Sequence, residues 1–267
     1  MKGIVIDINP TILHFGHFTL NWYSIIVMLA ILAAIMIAIY EGKRKGISSE
    51  TILSLAPWLV LGGIIGARLF HVVDKWDYYM GNPFQIFALW QGGLAIWGAL
   101  AGGGVAAIIF ARLKNIPVSR LADTLVPALL VAQIIGRFAC IIDGDAVGVA
   151  TNLPWGFTYI NPAAMVPPGL LGVPVHPYPV YDQLWNLVGL AIVLKVRRHL
   201  KTDGLLFLIY LSTYAIVRFV FTFVRQENVW FWGLQEAQII AIFTLIVSLA
   251  AIVYLTRVRP VEAEVKK

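Results

Sequence analysis

The chain has one cysteine, Cys140, in 267 residues, so no internal disulfide can form and a secreted disulfide scaffold is excluded. Charge is also scarce, at 13% of residues against ~25% in ordinary soluble domains. Combined with 60% hydrophobic residues, that scarcity excludes disorder and a collagenous chain and marks a membrane protein. HExxH, a CxxC pair, GxSxG and a P-loop are all missing, so metal hydrolysis, serine nucleophile chemistry and ATP use have no support. No metal or cofactor is expected. The net charge of +6 is better explained by basic loops that set membrane orientation than by a nucleic-acid footprint.

What is present is a series of long apolar runs. A helix needs about 20 apolar residues to cross ~30 Å of hydrocarbon. Seven stretches qualify, near 20–40, 51–73, 89–111, 120–142, 179–198, 204–225 and 236–256. The fold class expected is an all-α polytopic membrane protein, a single integral domain over 1–267. Basic residues gather after the first span (Lys43, Arg44, Lys45), the third (Arg112, Lys114, Arg120) and the fifth (Lys195, Arg197, Arg198, Lys201). The tail adds Arg257, Arg259, Lys266 and Lys267. The positive-inside rule then puts the C-terminus in the cytoplasm and the N-terminus outside. Trp22, Trp76, Trp90, Trp155, Trp230 and Trp232 fall near the outer ends, where an indole suits the headgroup layer. The first apolar stretch begins some 18 residues in, and it is read as a span, not as a cleaved signal peptide.

The longest connection, about 143–178, joins the fourth and fifth spans and holds Pro154, Pro162, Pro167, Pro168, Pro174 and Pro177. A connection this long is expected to be an ordered external cap. The pairs Gly62/Gly66 and Gly98/Gly102 have the GxxxG spacing that lets helices approach closely, and packing alone accounts for them.

Arginine inside a membrane span costs about 2.5–3.5 kcal/mol on insertion scales, so each one needs a partner or a task. Arg68, Arg137, Arg218 and Arg225 all fall in the outer half. Arg218 precedes Arg225 by seven residues, two turns deeper on nearly the same face. Converging guanidiniums suit phosphate oxygens, which they bind bidentately, and a phospholipid headgroup is the nearest anion. The plain alternative is internal pairing with Asp143, Asp145, Asp182 or Glu227. His71 shares the Arg68 face, and His176 stands at the end of the long connection. Cys140, one turn from Arg137, reads as inert packing.

At this point the residues become recognisable. Gly136-Arg137-Phe138-Ala139-Cys140-Ile141-Ile142-Asp143-Gly144-Asp145-Ala146-Val147-Gly148, followed by Leu153-Pro154-Trp155-Gly156, is similar to GRxGNFxNxExxG and LPWG. Those are signatures of the prolipoprotein diacylglyceryl transferase family. Trp22-Tyr23, Gly66-Ala67-Arg68-Leu69, Trp90 to Ile96, His176-Pro177 with Tyr181, Arg218-Phe219 with Arg225, and Gly233-Leu234 with Gln238 extend the resemblance over nearly the whole chain.

The resemblance implies a transferase of the bacterial inner membrane that moves the diacylglyceryl group from phosphatidylglycerol to the lipobox cysteine of a preprolipoprotein. It implies roles in phosphate binding for Arg137 and Arg218, and importance for Tyr23 and Gly148. Arg68, Arg225 and Tyr181 are further substrate-binding candidates. Asp145 and His176 are candidates for orienting or deprotonating the thiol, whose unperturbed pKa is near 8.5. The sequence departs from the family pattern at Trp97, where some members have histidine, and at Cys140 and Asp143, which replace asparagines. Asp145 and Asp182 replace glutamates, and Thr222 replaces an acidic residue. The alternative is a diverged anionic-lipid-binding relative or transporter without this chemistry. A retinal-type sensor is excluded because every lysine lies in a loop or at a span end.

Overall fold

The computed structural model describes residues 3–16, 18–89, 92–225, 229–231 and 233–258. Trp90, Gln91, Glu227, Trp232, Arg259, Lys266 and Lys267 therefore lie outside the described residues. The chain is built on helices, which run α1 (Trp22–Arg44), α2 (Ser49–Asp74), α3 (Trp76–Gly81), α4 (Ile96–Leu113) and α5 (Val118–Asp143), then α6 (Tyr178–Val196), α7 (Leu205–Thr222) and α8 (Glu236–Val253). A π-helical turn, Tyr254–Val258, extends α8.

Among the described residues, six helices are long and apolar enough to cross a membrane: α1, α2, α4, α5, α7 and α8 with its extension. Their apolar side chains face outward. Met36, Phe243 and Ile246 are 70%, 69% and 62% exposed, a surface suited to lipid and costly in water. The segment expected as the fifth span is also helical, as α6. Asp182, Gln183 and Asn186 in its early turns dilute its hydropathy, and it is not among the six.

The chain forms two compact units, one of Met1–Ile37 with Leu125–Lys267 and the other of Ala38–Thr124. In the smaller unit, Ser48 caps α2 by accepting the Thr51 N–H. Glycines bring α2 and α4 into backbone contact. A Cβ at Gly66 would lie 2.3 Å from the Gly98 carbonyl oxygen, and one at Gly102 would lie 2.1 Å from that of Gly62. Lipid is as apolar as leucine and gives no hydrophobic drive for helix pairing, so such close contact has to supply the attraction through van der Waals packing. Ion pairs Arg44–Glu41 and Lys45–Asp123, at 2.9 and 2.8 Å, join charges near the ends of α1 and α5 within this unit.

In the larger unit, Val126 and Leu130 of α5, Val193 of α6, and Leu206 and Tyr210 of α7 make one buried cluster. A buried Ser212–Ser248 hydrogen bond of 2.8 Å ties α7 to α8, a class of contact worth about 0.6 kcal/mol on average in membranes. Gly144, at φ +74°, ends α5 by adopting the left-handed conformation that a side chain disfavours, and its N–H bonds the Cys140 carbonyl at 2.9 Å.

Short strands supplement the helices, a feature absent from the all-α expectation. β1 (Ile4–Ile6) pairs in parallel with β4 (Phe157–Tyr159), which pairs antiparallel with β5 (Pro174–Val175). Two further antiparallel pairs among the described residues are β2 (Thr11–Phe15) with β3 (Phe18–Asn21) and β6 (Val229–Phe231) with β7 (Leu234–Gln235). Two strands of the three-stranded sheet, β4 and β5, lie in the long proline-rich connection, and β1 joins them from the start of the chain. Val147, Phe157, Tyr159 and Val175 form a second core there, with Ile6, Ile141 and Val180 against it. The Tyr159 hydroxyl donates to the Ile141 carbonyl of α5 at 2.9 Å, fastening the connection to the helix that carries Arg137.

Candidate active site

Tyr178, the first residue of α6, is completely buried and sits among arginines. The guanidinium carbons of Arg225, Arg137 and Arg218 lie 5.2, 5.7 and 6.0 Å from its ring centroid. Each distance is within cation–π range, where the interaction is worth about 0.5–2 kcal/mol depending on desolvation. These arginines come from α5, α7 and the turn after α7. Their shared ring keeps every pair of guanidinium carbons within about 12 Å, where like charges repel by about 1.4 kcal/mol or more at an effective dielectric near 20. An anion placed among them relieves that repulsion.

Further contacts orient the guanidiniums. Arg137 Nε donates to Asp182 Oδ2 at 2.5 Å, and Asn186 Nδ2 donates to the same oxygen at 3.3 Å. Asp182 is one turn beyond Tyr178 on α6, which explains polar residues at helical spacing in an otherwise apolar helix. Arg137 Nη1 contacts Cys140 Sγ at 3.7 Å. Of the five guanidinium N–H groups, these contacts leave both on Nη2 and one on Nη1 for a ligand. Arg218 Nη1 donates to the Tyr178 hydroxyl at 2.5 Å.

Tyr181 lies beside this cluster. Its hydroxyl accepts from Trp155 Nε1 at 3.0 Å, is 3.3 Å from His176 Nδ1, and its ring meets Phe221, which also packs on Tyr178. Gly148 connects these pieces through its backbone. Its N–H bonds the His176 carbonyl at 3.0 Å, it bridges to Arg225, and the Val149 N–H bonds the Val224 carbonyl at 2.9 Å. A Cβ on Gly148 would lie 2.7 Å from both His176 Cβ and the Val224 carbonyl oxygen, so the approach requires glycine. Burial holds the His176 pKa below its ordinary 6.5, so the imidazole is neutral at pH 7.

A second group adjoins Arg137. Tyr23, 45% exposed at the start of α1, is within electrostatic reach of Cys140, Asp145, Asp143 and Arg137. Asp145 is exposed and within electrostatic reach of the Cys140 thiol, while Asp143 is buried with Oδ1 unbonded among the described residues.

The structure thus brings together Arg137, Arg218, Arg225, Tyr181, His176 and Gly148, with Asp145 and Tyr23 adjoining Arg137. Arg68 belongs to the other unit and has a different occupation. Its Nε, Nη1 and Nη2 donate to the carbonyls of Ile86, Gly92, Gly93, Gln85 and Ala88, at 2.5–3.5 Å. All five of its N–H groups are thereby used on carbonyls of 85–88 and 92–93, and none remains for a phosphate. Tyr178 and Asn186 were missed by sequence reasoning. The only available signal was their spacing of four and eight residues along the polar stripe of α6.

Apolar helices carrying a cluster of arginines around one buried ring define a polytopic membrane protein with a concentrated positive charge. The model of the family described as prolipoprotein diacylglyceryl transferase matches residues 10–254. Similar curated proteins are named phosphatidylglycerol–prolipoprotein diacylglyceryl transferase. The one from Nostoc sp. is 34% identical, covering 94% of this chain and 91% of its own length. Those from Lysinibacillus sphaericus and Clostridioides difficile are 35% and 37% identical, covering 95% and 88% of this chain and 94% and 91% of their own. The chain belongs to the prolipoprotein diacylglyceryl transferase family.

Proposed function

We propose that this chain transfers the diacylglyceryl group of phosphatidylglycerol to the lipobox cysteine thiol of a preprolipoprotein signal peptide in the bacterial inner membrane. The observation that carries the reading is the gathering of Arg137, Arg218 and Arg225 around one buried ring in a chain of this family. The names of the relatives supply donor and acceptor. In the reaction, the thiolate sulfur bonds the glyceryl carbon as that carbon's bond to the phosphate oxygen breaks. The bonding electrons leave with glycerol phosphate, and the product is a thioether.

Charge grows on the departing phosphate, and fixed donors in a water-poor site stabilise such charge strongly. Arg137 takes that role through the N–H groups that Asp182 and Cys140 do not use, and Arg218 beside it adds its charge. Arg225 adds headgroup affinity, and Tyr181, Tyr23 and Gly148 shape the pocket. The thiol proton goes to a base. Neutral His176 and the exposed carboxylate of Asp145 are the two acceptors proposed. Arg68 serves as a clamp of its own loop. With α6 counted as a seventh span, the positive-inside rule applied to the basic loops supports a site toward the external leaflet.

The test is transfer by the purified chain in phosphatidylglycerol liposomes with a lipobox peptide, read by mass. A diacylglyceryl thioether with released glycerol phosphate, lost in Arg137→Gln that keeps its melting temperature, supports the reading. No product from folded wild-type protein overturns it.

A further inference from the structure

We infer that Tyr178 is a positioning residue of the transferase, holding Arg137, Arg218 and Arg225 in one geometry for the phosphate; this rests on the function proposed above. Three observations converge on it. The side chain is fully buried, although it carries a hydroxyl and opens a helix. That hydroxyl has a specific task, accepting from Arg218 Nη1 at 2.5 Å. The ring lies within 5.2–6.0 Å of three guanidiniums that reach it from separate parts of the chain.

Its own placement is firmly set. Pro177 and Pro179 flank it, its N–H bonds the His176 carbonyl at 2.8 Å, and Phe221 meets the ring edge-on at 6.3 Å. The site needs such a part for a physical reason. Arginine side chains are long and rich in rotamers, and like charges drive them apart, whereas stabilising a departing phosphate needs them fixed before the charge develops. A buried aromatic ring provides a shared electron-rich surface without a negative charge, so it gathers the guanidiniums without neutralising them. A carboxylate in the same place would compete with the phosphate.

Hydroxyl and ring separate in the test. The hydroxyl orients Arg218 toward the leaving oxygen and acts on kcat, whereas the ring gathers all three charges and acts on headgroup affinity as well. Wild type, Tyr178→Phe and Tyr178→Leu are compared in phosphatidylglycerol liposomes for kcat, KM for phosphatidylglycerol and melting temperature, with Arg218→Gln as the control. Tyr178→Phe is expected to lower kcat roughly tenfold with KM within about twofold, and Tyr178→Leu to raise KM roughly tenfold in addition. Wild-type kcat and KM in both variants, beside an inactive Arg218→Gln, overturn the inference and spare the proposed site. A lower melting temperature with unchanged kcat and KM also overturns it, because the ring is then only packing. An active Arg218→Gln removes the reading on which it stands. Should Tyr178→Leu fail to fold, the kcat of Tyr178→Phe decides alone.

Discussion

Replacing Gly148 with alanine adds a single methyl group at the junction of three site elements. Its Cβ would sit 2.7 Å from His176 Cβ and from the Val224 carbonyl oxygen, and 3.2 Å from the His176 carbonyl oxygen. Relief to an ordinary contact near 3.4 Å requires about 0.7 Å of separation. The Val224 oxygen accepts the Val149 N–H at 2.9 Å, and a shift of that size takes the bond to about 3.6 Å, beyond hydrogen-bonding range. Losing one backbone bond costs about 1 kcal/mol, and overpacking costs about 1–3 kcal/mol more. The sum is about 2–4 kcal/mol, which corresponds to a melting temperature lowered by roughly 5–15 °C.

The same displacement carries His176 and the backbone of Arg225 with it. A misplacement approaching 1 Å can cost up to about a hundredfold in rate. Melting in detergent and initial rates of peptide diacylglycerylation measure the two effects on one preparation. Gly104→Ala is the control, since a Cβ there meets nothing within 4 Å and alanine favours a helix. A Gly148→Ala protein that melts within about 2 °C of wild type and transfers at the same rate would refute the reasoning.

Gly66→Ala, whose Cβ would lie 2.3 Å from the Gly98 carbonyl oxygen, should force α2 and α4 apart and reduce folded yield; fluorescence-detected gel filtration of wild-type abundance would contradict this. Asp182→Asn removes the charge facing Arg137 Nε, and breaking a buried pair of this kind costs about 3–5 kcal/mol. Loss of transfer and a lower melting temperature are expected, and retention of both would show that the pair does not hold Arg137. His176 has a folded pKa below its unfolded value of ~6.5, so its contribution to stability is complete above ~6.5 and is lost as pH falls through the lower folded value. Melting curves from pH 8 to 5 should therefore fall less steeply on the acid side for His176→Asn than for wild type, and identical slopes would exclude the imidazole as the cause.

The arginine cluster was legible in the sequence because a cation in an apolar helix is expensive and has few explanations. Arg137, Arg218 and Arg225 could be singled out without coordinates. Arg68 carried the same signal and has a different occupation, since spacing along one helix does not reveal which carbonyls a later loop presents. Tyr178 was invisible for a related reason. A tyrosine between two prolines near an interface is ordinary, and its importance arises from residues 41 positions before it and 40 and 47 after it in the chain. Asp182, Gln183 and Asn186 were legible as polar, and helical spacing puts Tyr178, Asp182 and Asn186 on one stripe, yet only the fold pairs that stripe with Arg137. Long helices follow from local hydropathy, whereas strands of two or three residues have no periodicity to read and depend on distant partners.

The parallel pairing of Ile4–Ile6 with Phe157–Tyr159 has a consequence for biosynthesis. Ile4 meets a partner 153 positions later in the chain, so at about 5–20 residues per second the ribosome needs roughly 8–30 s to deliver it. During that interval the leading strand has an open edge, and helices α1 to α5 emerge before it closes. The sheet that shares the connection with His176 is therefore completed late, and a nascent chain halted before residue 157 leaves that edge accessible to proteases or to chaperones that bind exposed strands.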